Sequence, residues 1–181
     1  NRPLLVCGRS LQASGALDAI VASLTRAGVR PVPHVGVPPE PTLDDCRRAI
    51  DAAAGCDSVL AIGGGSALDV AKAAALAPCG GDVADWFHAR AEVPESGGLP
   101  ILAAPTTSGT GSEATWVGVY TDTAARRKAS FRGGAMMPRV VVLDAALTAT
   151  CPPSVTAHSG LDALVQAVES FTSVGANPLT D

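Results

Sequence analysis

The residues best suited to chemistry lie in two glycine-rich segments, each directly after a short apolar run. They are Gly63-Gly64-Gly65-Ser66-Ala67-Leu68-Asp69-Val70-Ala71-Lys72 and Pro105-Thr106-Thr107-Ser108-Gly109-Thr110-Gly111-Ser112-Glu113. In the first, a turn without side chains lets the backbone approach an anion. The helix that follows aims free N–H groups and its positive dipole end at the same point. That geometry suits a pyrophosphate. In the second, the hydroxyls of Thr106, Thr107, Ser108 and Thr110 offer donors able to converge with the first segment on one ligand. A plainer reading is open for each. Ser66 and Asp69 fit a reciprocal cap on a tight turn, and the hydroxyl loop fits a solvated connection. The first segment carries neither Gly-Lys-Ser/Thr nor a strict G-x-G-x-x-G, so it is not the phosphate loop of kinases and ATPases, nor the commonest dinucleotide fingerprint.

Strands must place these loops. Ser58 to Ile62 and Leu99 to Ala104 read as buried strands, and Ser66 to Leu76 as a helix with Ala67, Val70, Ala71, Ala74 and Ala75 on one face. Upstream, Leu4 to Cys7 reads as a strand, Leu17 to Ala27 as an amphipathic helix closed by Gly28, and Pro31 to Val35 as a second strand. A proline-rich bend over 37–42 then leads into a helix from Leu43 to Ala54. Downstream, Ala114 to Thr121 and Lys128 to Phe131 pair as a hairpin, and Arg139 to Leu143 is the last strand. Beyond Asp144 the pattern turns helical, with Leu161, Leu164, Val165, Val168 and Phe171 along one side. The strand-then-helix rhythm predicts an α/β fold, a Rossmann-like parallel sheet with flanking helices, followed by the beginning of an all-helical domain. Residues 1–150 form the dinucleotide-binding unit in this division, and residues 151–181 start the helical one.

Composition narrows the classes. A chain of 181 residues buries about 70% of its unfolded surface, enough for one core. Hydrophobic content of 47% against 17% charged excludes a disordered tail. A net charge of −4 without a basic cluster argues against nucleic acid as a partner. No apolar run is long enough for a membrane span, and no signal peptide is recognisable after Asn1. Cys7, Cys46, Cys56, Cys79 and Cys151 show no C-x-x-C spacing, which reads as a reduced, cytoplasmic setting.

Four motifs in order carry a family resemblance: Gly-Gly-Gly-Ser-x-x-Asp-x-Ala-Lys at 63–72, Pro-Thr-Thr-x-Gly-Thr-Gly-Ser-Glu at 105–113, Met137-Pro138 with Val142-Leu143-Asp144, and Gly160-Leu161-Asp162-Ala163-Leu164. From Leu4 to Asp181 the chain resembles the iron-containing (group III) alcohol dehydrogenases. The resemblance implies hydride transfer between NAD or NADP and an alcohol/aldehyde pair, a divalent metal (Fe²⁺ or Zn²⁺) as Lewis acid, and a homodimer. It assigns cofactor contact to Gly8, Gly64, Gly65, Ser66, Asp69, Thr106, Thr107, Ser108, Thr110 and Lys128. Metal contact falls to Asp162 and Gln166. It names no catalytic side chain.

The chain departs from that family at several positions. Gln166 stands where the family has a metal-binding His four residues after its Asp, and a neutral amide is a poorer ligand than imidazole. The family's two further metal-binding histidines come from later helices than those this chain carries, and its own histidines are His34, His88 and His158. His158 precedes Asp162 by one helical turn, but Ser159-Gly160 between them weakens a continuous helix. Gly8 replaces an Asp that often binds the adenosine ribose. Without that carboxylate, and with Arg9 beside it, a 2′-phosphate and hence NADP(H) is expected. Lys128 also reads as part of a solvated hairpin tip, Glu40 replaces a common Asn, and Trp86 and Trp116 read as core or interface. Two other readings stay open: a dehydroquinate-synthase-like or glycerol-dehydrogenase-like enzyme, and a truncated, non-catalytic nucleotide-binding module.

Overall fold

A computed structural model describes residues 1–178. Strands β1 (Pro3–Gly8) and β3 (Ser58–Gly63) are apolar without alternation, and they occupy the middle of the sheet, covered on both faces. Strand β2 (Val32–Val37) alternates half-buried and exposed positions, as an edge strand does. With β4 (Ile101–Pro105) and β7 (Val140–Val141) these form, among the described residues, one parallel sheet in the order β2-β1-β3-β4-β7. The order reverses between β1 and β3. Their carboxyl ends, Gly8 and Gly63, therefore flank the crevice where open α/β sheets bind ligands.

Helices cover both faces. A short helix α1 (Arg9–Ala13), absent from the sequence expectation, follows β1 directly, and α2 (Ala16–Arg26) packs on the same face through Ala16, Leu17, Ile20 and Val21. Helix α3 (Leu43–Ala52) starts in the proline bend. There Thr42 accepts from the Asp45 N–H, while the Asp45 carboxylate accepts from the Thr42 N–H. Helix α4 (Gly65–Ala75) is buried throughout except at its first residues, because alanines let it lie between the sheet and α3. On its other side sit α5 (Val83–Phe87) and an antiparallel ribbon of β5 (Val117–Asp122) and β6 (Arg127–Arg132). Trp86, Tyr120, Phe131 and Met136 fill that second cluster, which makes Trp86 core, whereas Trp116 is exposed.

The last part of the chain departs from expectation twice. Arg139 to Leu143 contributes only the two residues of β7, which among the described residues pair with β4 alone and whose side chains are exposed. Helix α6 (Pro153–Thr172) runs unbroken through Ser159-Gly160. One helical glycine costs only about 1 kcal/mol, too little to divide a helix of 20 residues. The apolar side of α6, Leu161, Leu164, Val165, Val168 and Phe171, faces outward. The close fit of α4 predicts that Ala71→Leu, at a position with no exposure, lowers stability by about 1–3 kcal/mol. A lower urea midpoint with an unchanged slope is the expected measurement.

Candidate dinucleotide site

The turn after β3 and the loop after β4 meet face to face. Thr106 N–H donates to the Gly63 carbonyl at 2.9 Å, extending the strand pairing into the loops. A Cβ built on Gly64 would lie 3.3 Å from Thr107 Cγ2, and one on Gly65 would lie 3.1 Å from Thr110 Oγ1. Gly64 has φ −76°, so its glycine answers to space rather than to a left-handed backbone. The structure thus adds a reason for the glycines beyond anion approach: the threonine loop packs on them.

Helix α4 starts at Gly65 with no side chain capping it, which leaves its first N–H groups to an outside acceptor. The reciprocal Ser66–Asp69 cap is not formed. Thr107 Oγ1, beside Gly64, is buried with no hydrogen-bond partner among the described residues. A buried orphan hydroxyl is costly, and at the mouth of a helix N-terminus it suits a phosphate oxygen. Gly8 reaches the same place from β1. Its N–H lies 3.5 Å from where a Cβ of Gly63 would stand. Gly8, Gly64, Gly65, Thr106, Thr107 and Thr110 therefore meet at the crevice between β1 and β3, with Ser66 in the first turn of α4 and Ser108 exposed at the outer part of the loop.

Two of the expected cofactor residues are engaged elsewhere. Asp69 is buried one turn into α4, where its carboxylate accepts from Ser112 Oγ at 2.6 Å and Val119 N–H at 3.0 Å. Burial pushes its carboxyl above the usual range, against the lowering effect of those bonds. Lys128 lies exposed on β6 and donates to Glu40 at 2.9 Å, which also gives Glu40 a structural role.

Behind the loops lies a feature that the sequence reading passed over. Lys72 has no exposed surface, and its Nζ donates to Ser112 Oγ (2.9 Å), Thr115 Oγ1 (3.0 Å) and the Val117 carbonyl (2.7 Å). Burial pushes its ammonium down to about 8, opposed by Asp69 and Glu113. A lysine on a helix of alanines, three residues after an aspartate, was the available signal.

The threonine loop also touches α6. A Cβ on Gly109 would stand 1.9 Å from the Ser159 carbonyl oxygen, so the loop backbone presses directly on the helix that carries Asp162 one turn on. Gln166 Nε2 donates to Asp162 Oδ2 at 2.9 Å, with both residues exposed. His158 is also exposed on α6. Among the described residues no group of three or more His, Cys, Asp or Glu could hold a metal ion. Asp162 and Gln166 offer two donors, which do not by themselves make a metal centre.

The family model for iron-containing alcohol dehydrogenases matches residues 1–145. The chain belongs to that family. It is 40% identical over 174 residues to the probable alcohol dehydrogenase EutG of Salmonella typhimurium, covering 94% of this chain and 44% of that protein. Among solved structures it resembles NADH-dependent butanol dehydrogenase A from Thermotoga maritima, with a TM-score of 0.90 and 29% identity over 99% of this chain and 46% of that one. It also resembles the sulfoacetaldehyde reductase of Bifidobacterium kashiwanohense in complex with NAD⁺, with a TM-score of 0.90 and 32% identity over 98% of this chain and 47% of that one. The chain spans about half the length of the curated relatives it matches.

Within this iron-containing alcohol dehydrogenase family member, two substitutions probe the site. Thr107→Val removes a hydroxyl that has no internal partner, so the ligand-free protein should lose no stability. Dinucleotide affinity should fall by roughly tenfold, the loss of a hydrogen bond to a charged oxygen, measured by equilibrium titration alongside thermal melts. Gln166→His restores imidazole beside Asp162, and the full-length protein should then retain more Fe²⁺ or Zn²⁺ after dialysis, measured by elemental analysis.

Proposed function

We propose that the whole protein is an oxidoreductase that transfers a hydride between NAD(P)(H) and a small alcohol/aldehyde pair. The observation that carries this reading is the unpartnered Thr107 hydroxyl beside Gly64 at the uncapped start of α4, in the switch-point crevice of a chain of this family. The residues fit a dinucleotide. The first N–H groups of α4 would hold its pyrophosphate, and the Thr107 hydroxyl would donate to a phosphate oxygen. Gly8, Gly64 and Gly65 leave room for the backbone to approach, while Thr106, Ser108 and Thr110 line the way outward. When bound, the nicotinamide gives up or accepts the hydride.

The contact of Gly109 with Ser159 holds α6 against the loop, setting the distance between Asp162 and the crevice. Asp162 and Gln166 are the donors this half of the protein would offer a divalent cation, which would act as a Lewis acid on the substrate oxygen. The same reading takes the protein as a cytoplasmic homodimer. The family resemblance supports the dimer, and the five free cysteines agree with a reducing compartment.

NADP(H) is the favoured dinucleotide. Beside Gly8, a cavity of about 190 Å³ is lined by Arg9, His34, Gly36, Val37, Asp45 and Arg48, at the carboxyl ends of β1 and β2. Its residues come from α1, β2 and α3. Arg9 Nε donates to the Gly36 carbonyl at 3.4 Å, at the irregularity where the register steps from Cys7↔Val35 to Gly8↔Val37. Asp45 is occupied by Thr42 and Arg48, which hold its carboxyl below the usual range despite its burial. Two guanidinium groups and no free carboxylate make this a place for a phosphate monoester.

Reduction of a panel of small aldehydes by the full-length protein, with NADPH and NADH compared, tests both levels. Turnover with NADPH preferred is the expected result. Arg9→Ala should cut that preference by about tenfold, through KM for NADPH rather than kcat. Absence of turnover with either cofactor would sink the oxidoreductase reading.

A further inference from the structure

Helix α4 touches both loops of the site, by different means. Its amino end faces the crevice, and its interior side carries Asp69 and Lys72 to the root of the threonine loop. The two side chains stand 3.9 Å apart as an ion pair, and among the described residues their hydrogen bonds go to the segment Ser112–Val119, which leads from that loop into β5. Ser112 is the joint. Its hydroxyl donates to Asp69 Oδ1 and accepts from Lys72 Nζ, and its own N–H reaches back to Thr110 Oγ1 at 3.4 Å. Thr110 is the residue packed on Gly65. A continuous chain of contacts thus runs from Lys72 through Ser112 and Thr110 to the first residue of the helix that carries Lys72.

We propose that Lys72, Asp69 and Ser112 form a buried clamp that positions the threonine loop over the glycine turn, and so sets the affinity of the site for its dinucleotide. This rests on the dinucleotide reading above. The three are positioning residues: none is among those that converge on the crevice. Ion pairs between helices stabilise a fold without regard to a ligand. Here the acceptors of Lys72 lie within a few residues of the loop, so loss of the clamp frees the loop before it frees the core.

The other charged or titratable groups around the clamp do not compete for it. Glu113 on the loop acts on Lys72 only through space, while Cys46 of α3 and Tyr120 of β5 are held neutral by burial. The Tyr120 hydroxyl donates instead to the Asp69 backbone carbonyl at 2.8 Å, leaving the carboxylate to Ser112 and Val119.

The test uses the full-length protein with NADP⁺ and NAD⁺ as probes, in equilibrium titration and in amide hydrogen exchange of residues 106–111. Removing Lys72 leaves Asp69 buried without its cation and can prevent folding, so the primary variants are Ser112→Ala and Thr115→Val, which keep both charges. Each is expected to weaken dinucleotide binding by about tenfold and to speed exchange over 106–111, with kcat at saturating cofactor within about twofold. Val83→Ala, a truncation in the core of α5 away from the loop, is the control for a general loss of stability. It should lower the melting temperature without either change. Unaltered affinity and exchange in both clamp variants would overturn the proposal, as would an equal loss of affinity in Val83→Ala. Failure of the unmodified protein to bind either dinucleotide would remove the reading beneath it, and the clamp's role with it.

Discussion

Everything around the crevice depends on burying α4 whole. A helix between a sheet and a second layer must be narrow, and its alanines allow that approach on the side facing β1, β3 and β4. Such a helix has no surface left on which to place a charge. Lys72 and Asp69 are nonetheless inside, and a lone buried charge costs several kcal/mol. Their presence is tolerable only because Ser112, Thr115, Val117 and Val119 satisfy them. The demand for hydrogen bonds in the interior therefore dictates where the chain must go after β4.

That demand orders the second layer. Among the described residues β5 and β6 form a sheet of their own with only each other as strand partners, and a two-stranded ribbon is marginal alone. Here it is pinned to α4 by polar bonds at its start and by the Tyr120 hydroxyl, while the stack of Tyr120 on Phe131 at 4.5 Å ties its two strands together. The outer end is held by Lys128 to Glu40 and by His88 to Asp122 at 2.9 Å. Exposed pairs of the first kind contribute little energy, so they set orientation more than stability.

The crevice in turn is shaped by contacts that exclude side chains. Gly64 and Gly65 admit Thr107 and Thr110, and Gly109 admits the Ser159 carbonyl. Each glycine marks where two backbones or a backbone and a threonine meet too closely for a Cβ. The effect is to bring α6, through Ser159, against the same loop that faces α4. Cofactor-side and helix-side residues share one narrow segment of chain.

Much of this was legible in the sequence because it is local. Apolar runs without alternation gave the buried strands, the proline-rich bend over 37–42 marked the start of α3, and the two glycine-rich loops followed strands as a crevice requires. Motif order alone was enough for the family. What the sequence could not show is what lies across from each residue. Asp69 reads as a helix-cap or ligand carboxylate, yet one turn of helix rotates it into the interior. Lys128 reads as a cofactor contact or a solvated hairpin tip, and only the fold brings Glu40, distant in the chain, to it. The strand at Arg139 to Leu143 shrank because a strand needs partners as well as propensity, and α6 continued through Gly160 because neighbouring turns outweigh one glycine. Composition and spacing determined which elements form and which loops carry polar groups. Only the tertiary structure decided which of those groups were already spent on one another, since hydrogen-bond partners here are separated by forty or more residues of chain.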